Sequence, residues 1–182
     1  MRKVVAALFI SLDGVVQSPD QWQFDHFDED MGTAMGAALA AQDAVLLGRV
    51  TYQEWAPYWP TATDEPFASY INATPKYVAS TTLKTVTWQN STLLTGDLAS
   101  AIGRLQQQPG KNIGVAGSPT LVRSLLQAGL LDALTLMVHP VVVGRGRRLF
   151  QDGDALLRLQ LTEAKTTRTG VLLATYQRRA GA

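Results

Sequence analysis

The chain has 182 residues, the length of one ordinary domain, and we expect a single domain that covers residues 1–182. Hydrophobic residues make up 46% and charged residues 17%, proportions typical of a globular protein and not of a disordered or fibrous one. The 16 Lys and Arg residues against 15 Asp and Glu leave a formal charge of +1, too small for the broad basic surface that nucleic acid or an anionic membrane requires. The expected partner is therefore a small molecule.

The absence of cysteine excludes a disulfide framework, a thiolate nucleophile and a cysteine zinc site. No apolar run is long enough to span a membrane. The short apolar run near the start is followed by residues 11–14, SLDG, where a signal peptide would carry its cleavage site. We expect a cytoplasmic protein.

Short apolar runs alternate with amphipathic stretches of helical length, which predicts an α/β domain with a mostly parallel sheet. Residues 4–10 are expected to form the first strand, buried on both faces because the run is almost continuously apolar. Residues 11–29 form a long loop, which in a compact domain is usually functional. A first helix follows the candidate N-cap Asp30, and residues 44–47 form the second strand.

In the rest of the chain, a helix is expected to begin near Thr51 and a second short helix to cover residues 67–71. Asp97 and Ser118 are expected to cap two further helices, and Gly129 to end the second of them. Strands are expected at residues 77–79, 112–116 and 133–143, and around residues 157–161 and 171–175. Apolar residues alternate with polar residues along these last two strands, and the chain reverses direction between them. We therefore expect the chain to end in antiparallel strands.

Two turns from a strand into a helix are candidate anion sites. Residues 48–51, GRVT, lie where the second strand ends, so free backbone N–H groups and the positive helix end point at one spot. Arg49 adds a permanent charge and Thr51 a hydroxyl. The alternative is an ordinary turn in which Thr51 caps the helix.

Residues 116–120, AGSPT, repeat this arrangement after another strand, with Gly117 permitting a close approach to the backbone. The two turns together are suited to hold one pyrophosphate. The Gly-x-Gly-x-x-Gly pattern follows no predicted strand and the Walker pattern is absent, which argues against a Rossmann or P-loop protein.

The order of these segments resembles a known family. Residues 46–52 (LLGRVTY), 78–82 (VASTT) and 115–118 (VAGS) look like three successive cofactor-binding segments of dihydrofolate reductases. Residues 11–14 (SLDG) and 139–146 (HPVVVGRG) are more similar to the reductase domain of bifunctional riboflavin-biosynthesis deaminase/reductases. The likeness covers nearly the whole chain, and five motifs in the same order make it fairly specific.

The resemblance implies a three-layer α/β fold: a mostly parallel mixed sheet, helices on both faces and antiparallel C-terminal strands. It also implies an NADPH-dependent reductase, with the adenosine end of the cofactor near Ser80. The family often carries an Arg where Thr81 stands, and that Arg can meet the 2′-phosphate of NADPH, so NADH remains an alternative cofactor and Arg49 is the nearer basic candidate. The expected cofactor-binding residues are Gly48, Arg49, Thr51, Ser80, Thr81, Thr82, Ala116, Gly117, Ser118 and Thr120.

Because the cofactor carries the hydride, the protein mainly has to place the substrate and to supply or orient a proton. Asp13 follows the first strand beside Gly14, and the resemblance to riboflavin-type reductases puts this segment at the substrate and nicotinamide end. We expect Asp13 to be the catalytic residue and to hold or protonate the substrate. The alternative is a turn residue that bonds to its own backbone.

Two more residues are expected to bind the substrate. Trp22 can stack on a heteroaromatic ring, with core packing as the alternative. Asp30, with Asp28 and Glu29, lies near the point where dihydrofolate reductases carry their substrate-binding carboxylate. The alternative for these three acids is a favourable interaction with the helix dipole.

The leading hypothesis is an NADPH-dependent reductase of a small heterocyclic or carbonyl substrate, and the alternative is a nucleotide-binding protein of the same fold without turnover. Asp13 and its long polar loop favour the enzyme. The apolar run over residues 134–143 and the C-terminal strands, together with the resemblance, predict a homodimer. His26 and His139 lie far apart in the sequence without a nearby ligand cluster, so we expect no metal site and treat His139 as a packing residue.

Overall fold

The computed structural model describes residues 1–179, within which eight strands form one sheet. The strands are β1 (Val4–Ser11), β2 (Gln42–Gly48), β3 (Lys76–Ala79), β4 (Ser91–Leu94), β5 (Asn112–Val115), β6 (Ala133–His139), β7 (Leu159–Thr166) and β8 (Leu172–Arg178). The helices are α1 (Glu29–Ala40), α2 (Arg49–Trp55), α3 (Phe67–Ala73), α4 (Leu98–Gln107) and α5 (Pro119–Gln127). Short 3-10 turns cover Pro19–Gln21, Phe24–His26 and Trp59–Thr61.

The sheet order is β4-β3-β2-β5-β1-β6-β8-β7. The six strands from β4 to β6 are parallel, whereas β8 runs antiparallel to both β6 and β7. The expected mixed sheet with antiparallel C-terminal strands is therefore confirmed. The parallel strands read as continuous apolar runs because helices cover both of their faces.

Alternate residues of β1 face opposite sides of the sheet. On one side Leu8 lies in the same apolar cluster as Ile102 of α4 and Leu125 of α5. On the other side Phe9 packs with Met31 of α1, and residues of α2 and α3 pack against β2 and β3. The three-layer arrangement is confirmed. Within residues 1–179 no helix is both long and apolar enough to cross a bilayer.

Three predicted boundaries are wrong. Helix α1 is capped by Asp28 and not by Asp30, because the Asp28 carboxylate accepts a hydrogen bond of 2.9 Å from the Met31 N–H. Helix α2 begins at Arg49, two residues before Thr51. The predicted strand over 133–143 ends at His139, since the next residue is proline and has no N–H for a ladder.

Two predicted helix caps are confirmed. Asp97 accepts a hydrogen bond of 2.8 Å from the Ser100 N–H at the start of α4. Gly129 adopts a φ of 70° just beyond α5 and donates to the Leu126 carbonyl, as a glycine that ends a helix does. Ser118 occupies the N-cap position of α5, but its side chain makes no hydrogen bond to that helix. Its partners lie in the candidate site.

Candidate functional site

The predicted site segments form a row along one edge of the sheet, because parallel strands end at the same edge. In sheet order, residues 80–82 follow β3, Arg49 follows β2, Ala116 follows β5, and Asp13 follows β1. Neighbouring strands lie about 4.8 Å apart, so the row from β3 to β1 spans about 14 Å. Open α/β sheets bind ligands at this edge, at the point where neighbouring strands continue in opposite directions. Strand β2 continues toward β3 and β5 toward β6, so that point lies between β2 and β5.

Thr51 and Ser118 join the two turns at this point. The Ser118 hydroxyl donates to Thr51 Oγ1 at 2.8 Å and accepts from the Gly48 N–H at 2.8 Å. The Ser118 N–H also donates to Thr51 Oγ1, at 3.0 Å. Both Thr51 and Ser118 are buried. The Gly48 N–H is thus engaged within the protein and is not the free anion donor that the sequence predicted.

The backbone at Gly117 and Ser118 is left-handed, with φ values of 53° and 55°. Glycine adopts this conformation freely, whereas for serine it is strained. A Cβ atom at Gly117 would lie 3.0 Å from Thr51 Cγ2, closer than ordinary packing allows. Gly117 is therefore required by the close approach of the two turns to each other.

The groups that remain for an anion are on the outer side of these turns. Arg49 is exposed, and among residues 1–179 its guanidinium donates only to the Gln53 side chain, one turn along α2, at 2.7 Å. Thr120 is exposed, and the first-turn amides of α5 have no partner within the helix. Neither turn carries a carboxylate. A cation, N–H groups and a hydroxyl without a nearby acid are a donor set that fits a pyrophosphate.

At the far end of the row, the Ser80 hydroxyl accepts from the Thr82 and Leu83 N–H groups at 3.1 and 3.0 Å. Ser80 therefore shapes its own turn, and Thr81 and Thr82 are exposed. No basic residue stands between Ser80 and Leu83.

Asp13 is fixed by hydrogen bonds to both of its carboxylate oxygens. Oδ1 accepts from the Ser11 hydroxyl at 2.7 Å and from the Val143 N–H at 3.0 Å, and Oδ2 accepts from the Gly144 N–H at 2.9 Å. These bonds, with Ser11 first, lower the pKa of Asp13 to about 2, and the Arg148 guanidinium lies 3.6 Å from Oδ2. At neutral pH Asp13 is ionised, so it can orient a polar group but has no proton to donate.

The first part of the loop after β1, residues 12–16, is paired with the segment over residues 141–149. Three backbone hydrogen bonds join them, Leu12 N–H to Val141 O, Val16 N–H to Arg147 O and Leu149 N–H to Gly14 O. The sequence missed these partners of Asp13. The available signal was that residues 11–14 and 139–146 both resemble the same riboflavin-type reductases, which places both at the same end of the fold.

Trp22 lies beside this paired structure. It is half-buried and its Nε1 donates to the Gln17 carbonyl at 3.2 Å. A cavity of about 220 Å³ is lined by Gln17 and Trp22 on one side and by Val143 and Arg145 on the other. Asp13 does not line this cavity itself, but it binds the N–H of Val143, which does, so Trp22 and Asp13 lie in the same region.

Asp30 is held elsewhere. Its carboxylate accepts from the Arg168 backbone N–H at 3.1 Å and from the Arg168 guanidinium at 3.2 Å. Asp28 also reaches this turn, accepting from the Thr169 N–H at 3.0 Å, and the Met31 and Thr169 bonds lower its pKa to about 2. These acids tie α1 to the turn between β7 and β8. Asp30 does not line the cavity beside Trp22.

His139 ends β6 and is buried, as expected of a packing residue. Its ring lies against Phe9, Trp22 and His26, with centroid distances of 5.6, 5.5 and 6.3 Å. In the part of the chain that the structure describes, no three His, Asp or Glu side chains are grouped as metal ligands would be.

Residues 2–173 match the family model of the RibD C-terminal domain. The chain belongs to this family. A relative of this chain, the protein YyaP of Bacillus subtilis, is 27% identical to it over 180 residues, which cover 96% of this chain and 94% of YyaP.

Three solved structures share the fold. A protein of Shewanella sp. PV-4, provisionally described as a riboflavin biosynthesis protein, gives a TM-score of 0.80 at 20% identity and covers 97% of this chain and 99% of its own. Riboflavin biosynthesis reductase Rib7 of Saccharomyces cerevisiae gives a TM-score of 0.66 at 13% sequence identity, and the match covers 98% of this chain and 90% of that protein. Dihydrofolate reductase of Enterococcus faecalis, complexed with NADP(H), gives a TM-score of 0.63 at 11% sequence identity, and the match covers 97% of this chain and 96% of that protein. The dihydrofolate reductase-like fold is confirmed.

Proposed function

We propose that this RibD C-terminal domain protein is a reductase that binds NADPH and reduces a small heterocyclic or carbonyl compound. The observation that carries the proposal is the row of segments after β3, β2, β5 and β1 at one edge of the sheet. A dinucleotide along this row has its adenosine end at residues 80–82, its pyrophosphate between β2 and β5, and its nicotinamide toward Asp13. The structural neighbour complexed with NADP(H) supports this choice of cofactor.

We assign the first-turn amides of α5 and Thr120 to the pyrophosphate, and the Arg49 guanidinium to the 2′-phosphate at the adenosine end. Thr51 and Ser118 hold the two turns together through hydrogen bonds that also include the Gly48 N–H, and Gly117 permits the close approach of the turns. Ala116 joins them through its N–H, which donates to the Leu46 carbonyl at 3.2 Å. When bound, the cofactor supplies the hydride, and the protein binds and orients the reactants and excludes water.

We assign the preference for NADPH over NADH to Arg49. Ser80, Thr81 and Thr82 offer hydroxyl groups and no charge, whereas a 2′-phosphate is recognised best by a cation. Arg49 is exposed and follows β2, the strand that pairs with β3. NADH is the expected alternative if Arg49 does not reach the phosphate.

For the substrate we assign stacking to Trp22 and orientation to the ionised Asp13. Both act on the space beside the segment that carries Val143 and Gly144, whose N–H groups Asp13 binds. We do not assign Asp30 to substrate binding, because its carboxylate is hydrogen-bonded to Arg168. Asp30 instead fixes the start of α1.

The experiment that tests the proposal is NADPH oxidation measured with a panel of ketones, pterins and riboflavin-precursor pyrimidines, repeated with NADH. We expect turnover of at least one compound. Binding of NADPH without oxidation of any compound would favour the alternative, a nucleotide-binding protein without turnover.

We also propose a homodimer in the cytoplasm. Most of the apolar run that suggested a dimer forms β6 in the interior of the sheet, between β1 and β8, and beyond the strand Val142 is 73% exposed. The outer strand β7 is a better place for a second copy, because seven of its eight residues are exposed and Leu161 is 50% exposed.

A further inference from the structure

His139 carries a buried nitrogen without a partner. The residue is 0% exposed, and its Nδ1 lies 2.9 Å from the Met137 carbonyl oxygen. A carbonyl oxygen only accepts, so Nδ1 carries the proton and Nε2 of the neutral ring has a free lone pair. No group within residues 1–179 donates to that Nε2. Burial lowers the pKa of His139, which keeps the ring neutral and Nε2 an acceptor.

The surroundings of this nitrogen are aromatic. Phe9, Trp22 and His26 pack around the ring of His139. The only N–H of the Trp22 side chain donates to the Gln17 carbonyl, so it does not satisfy Nε2. Buried polar atoms nearly always have a hydrogen-bond partner. His139 Nε2 is one of five buried side-chain atoms within residues 1–179 that lack one, and His139 ends β6 at the edge of the sheet where ligands bind.

The segment over residues 18–27, which carries Trp22 and His26, is tied to distant parts of the described chain by one hydrogen bond, from the Thr169 hydroxyl to the His26 carbonyl at 2.8 Å, and by the contact of its two rings with His139. Neither of its two 3-10 turns contains a buried residue. Ser18, at its start, has a left-handed φ of 47°, a strained conformation for a residue with a side chain. Gln23, between the two turns, also carries a buried polar atom without a partner, its Oε1. A segment with few buried contacts and unsatisfied polar atoms opens at low cost in free energy.

We propose that His139 recognises the substrate: Nε2 accepts a hydrogen bond from a ring or amide N–H of a planar heterocycle, which enters when segment 18–27 shifts and is covered by Trp22. His139 pairs in register with Ser11, the residue that donates to Asp13. The inference rests on the proposed function only in placing the substrate at this end of the row. A heterocycle without an N–H would leave Nε2 unsatisfied, and such sites discriminate strongly between a ligand and its analogue.

Two substitutions separate recognition by Nε2 from packing. His139→Asn keeps an N–H donor near the place of Nδ1 and has nothing at Nε2, whereas His139→Gln places an amide oxygen near Nε2. Two fluorescent ligands complete the test: lumazine, which has ring N–H groups, and 1,3-dimethyllumazine, which has none. Binding is followed by quenching of tryptophan fluorescence, without cofactor.

We expect the wild-type protein and His139→Gln to bind lumazine at least tenfold more tightly than the dimethyl analogue, and His139→Asn to lose this preference. The proposal is overturned if the wild-type protein binds neither ligand, if it binds both equally, or if folded His139→Asn keeps the preference. A further measurement uses the wild-type protein alone, so that it does not depend on the folding of a variant. The chain has 2 histidines, so ring ¹⁵N spectra of the wild-type protein are simple, and the His139 Nε2 resonance must shift on addition of lumazine.

Failure of this inference can be told from failure of the proposed function by titrating NADPH into the same variants. We expect His139→Asn to change the NADPH affinity less than twofold. If the lumazine preference holds and NADPH does not bind, the proposed function fails and the role of His139 stands. If NADPH binds and is oxidised with a compound of the panel but the lumazine preference is absent, the role of His139 fails and the proposed function stands.

Discussion

The Ser118 hydroxyl lies 2.8 Å from Thr51 Oγ1 and joins two turns that are 67 residues apart in the sequence. The same hydroxyl accepts from the Gly48 N–H, so its hydrogen and one of its lone pairs are engaged by protein groups. The two turns therefore behave as one unit, and the cofactor meets a preorganised surface.

Replacing Thr51 by valine removes the oxygen that accepts from both the Ser118 N–H and the Ser118 hydroxyl. We expect the free energy of unfolding to fall by about 1–3 kcal/mol, the usual cost of leaving buried donors unpaired. Combined with Ser118→Ala, the loss should be smaller than the sum of the two single losses. Urea denaturation measures both effects, and Thr120→Val, at an exposed position, is the control. Additive losses would show that the two hydroxyls are not coupled.

Asp13→Asn tests the assignment of Asp13. Both carboxylate oxygens accept backbone N–H groups, so the amide NH₂ of asparagine must face the N–H of either Val143 or Gly144. The substitution therefore disturbs the loop as well as the charge, and we expect a rate loss on the order of 100-fold or more with NADPH affinity retained. Asp20→Asn, at an exposed position in the same loop, is the control. Wild-type turnover by Asp13→Asn would remove Asp13 from the catalytic site.

Acid stability should depend on Asp13 and Asp28. The pKa of each is about 2 in the folded protein against a usual 3.8, so the unfolded chain binds more protons between these values. The stabilisation is complete above about pH 4 and is lost as the pH falls through about 2. Thermal melting of the wild-type protein should decline over this range, and Asp28→Asn should decline less steeply. Parallel curves would contradict the two low pKa values.

The sequence predicted those parts of the fold that rest on local signals. Asp97 and Gly129 were placed correctly, since a cap acts on residues of its own helix. Strand β4 was missed because Ser91–Leu94 is short, partly polar and at the edge of the sheet. The periodicity that marks a strand is weak in four residues.

The site was predicted only in outline. The sequence identified the turns at Gly48 and Gly117, but not the hydrogen bonds between them, because strand order decides which distant residues meet. The same holds for Asp13 and Val143, which are 130 residues apart. The free lone pair of His139 depends on its burial and on its bond to the Met137 carbonyl, and no sequence pattern reports either.

The homodimer prediction is tested on β7. Leu161 is half exposed on this outer strand, and a lysine there would place a charge in an interface built on β7. We expect light scattering to give a dimeric mass for the wild-type protein and a monomeric mass for Leu161→Lys. Leu156→Lys, at a more exposed leucine outside the strands, should remain dimeric. A monomeric wild-type protein in the micromolar range would refute the prediction.

Calorimetric titration with NADPH is the most direct test of a nicotinamide nucleotide on this edge of the sheet. We expect one NADPH per chain, bound at least tenfold more weakly by Arg49→Ala, because a charged hydrogen bond to phosphate contributes about 1.5–3 kcal/mol. Arg104→Ala, on the exposed side of α4, should bind as the wild-type protein does. A folded wild-type protein that binds no NADPH, or an Arg49→Ala variant with unchanged affinity, would contradict the account.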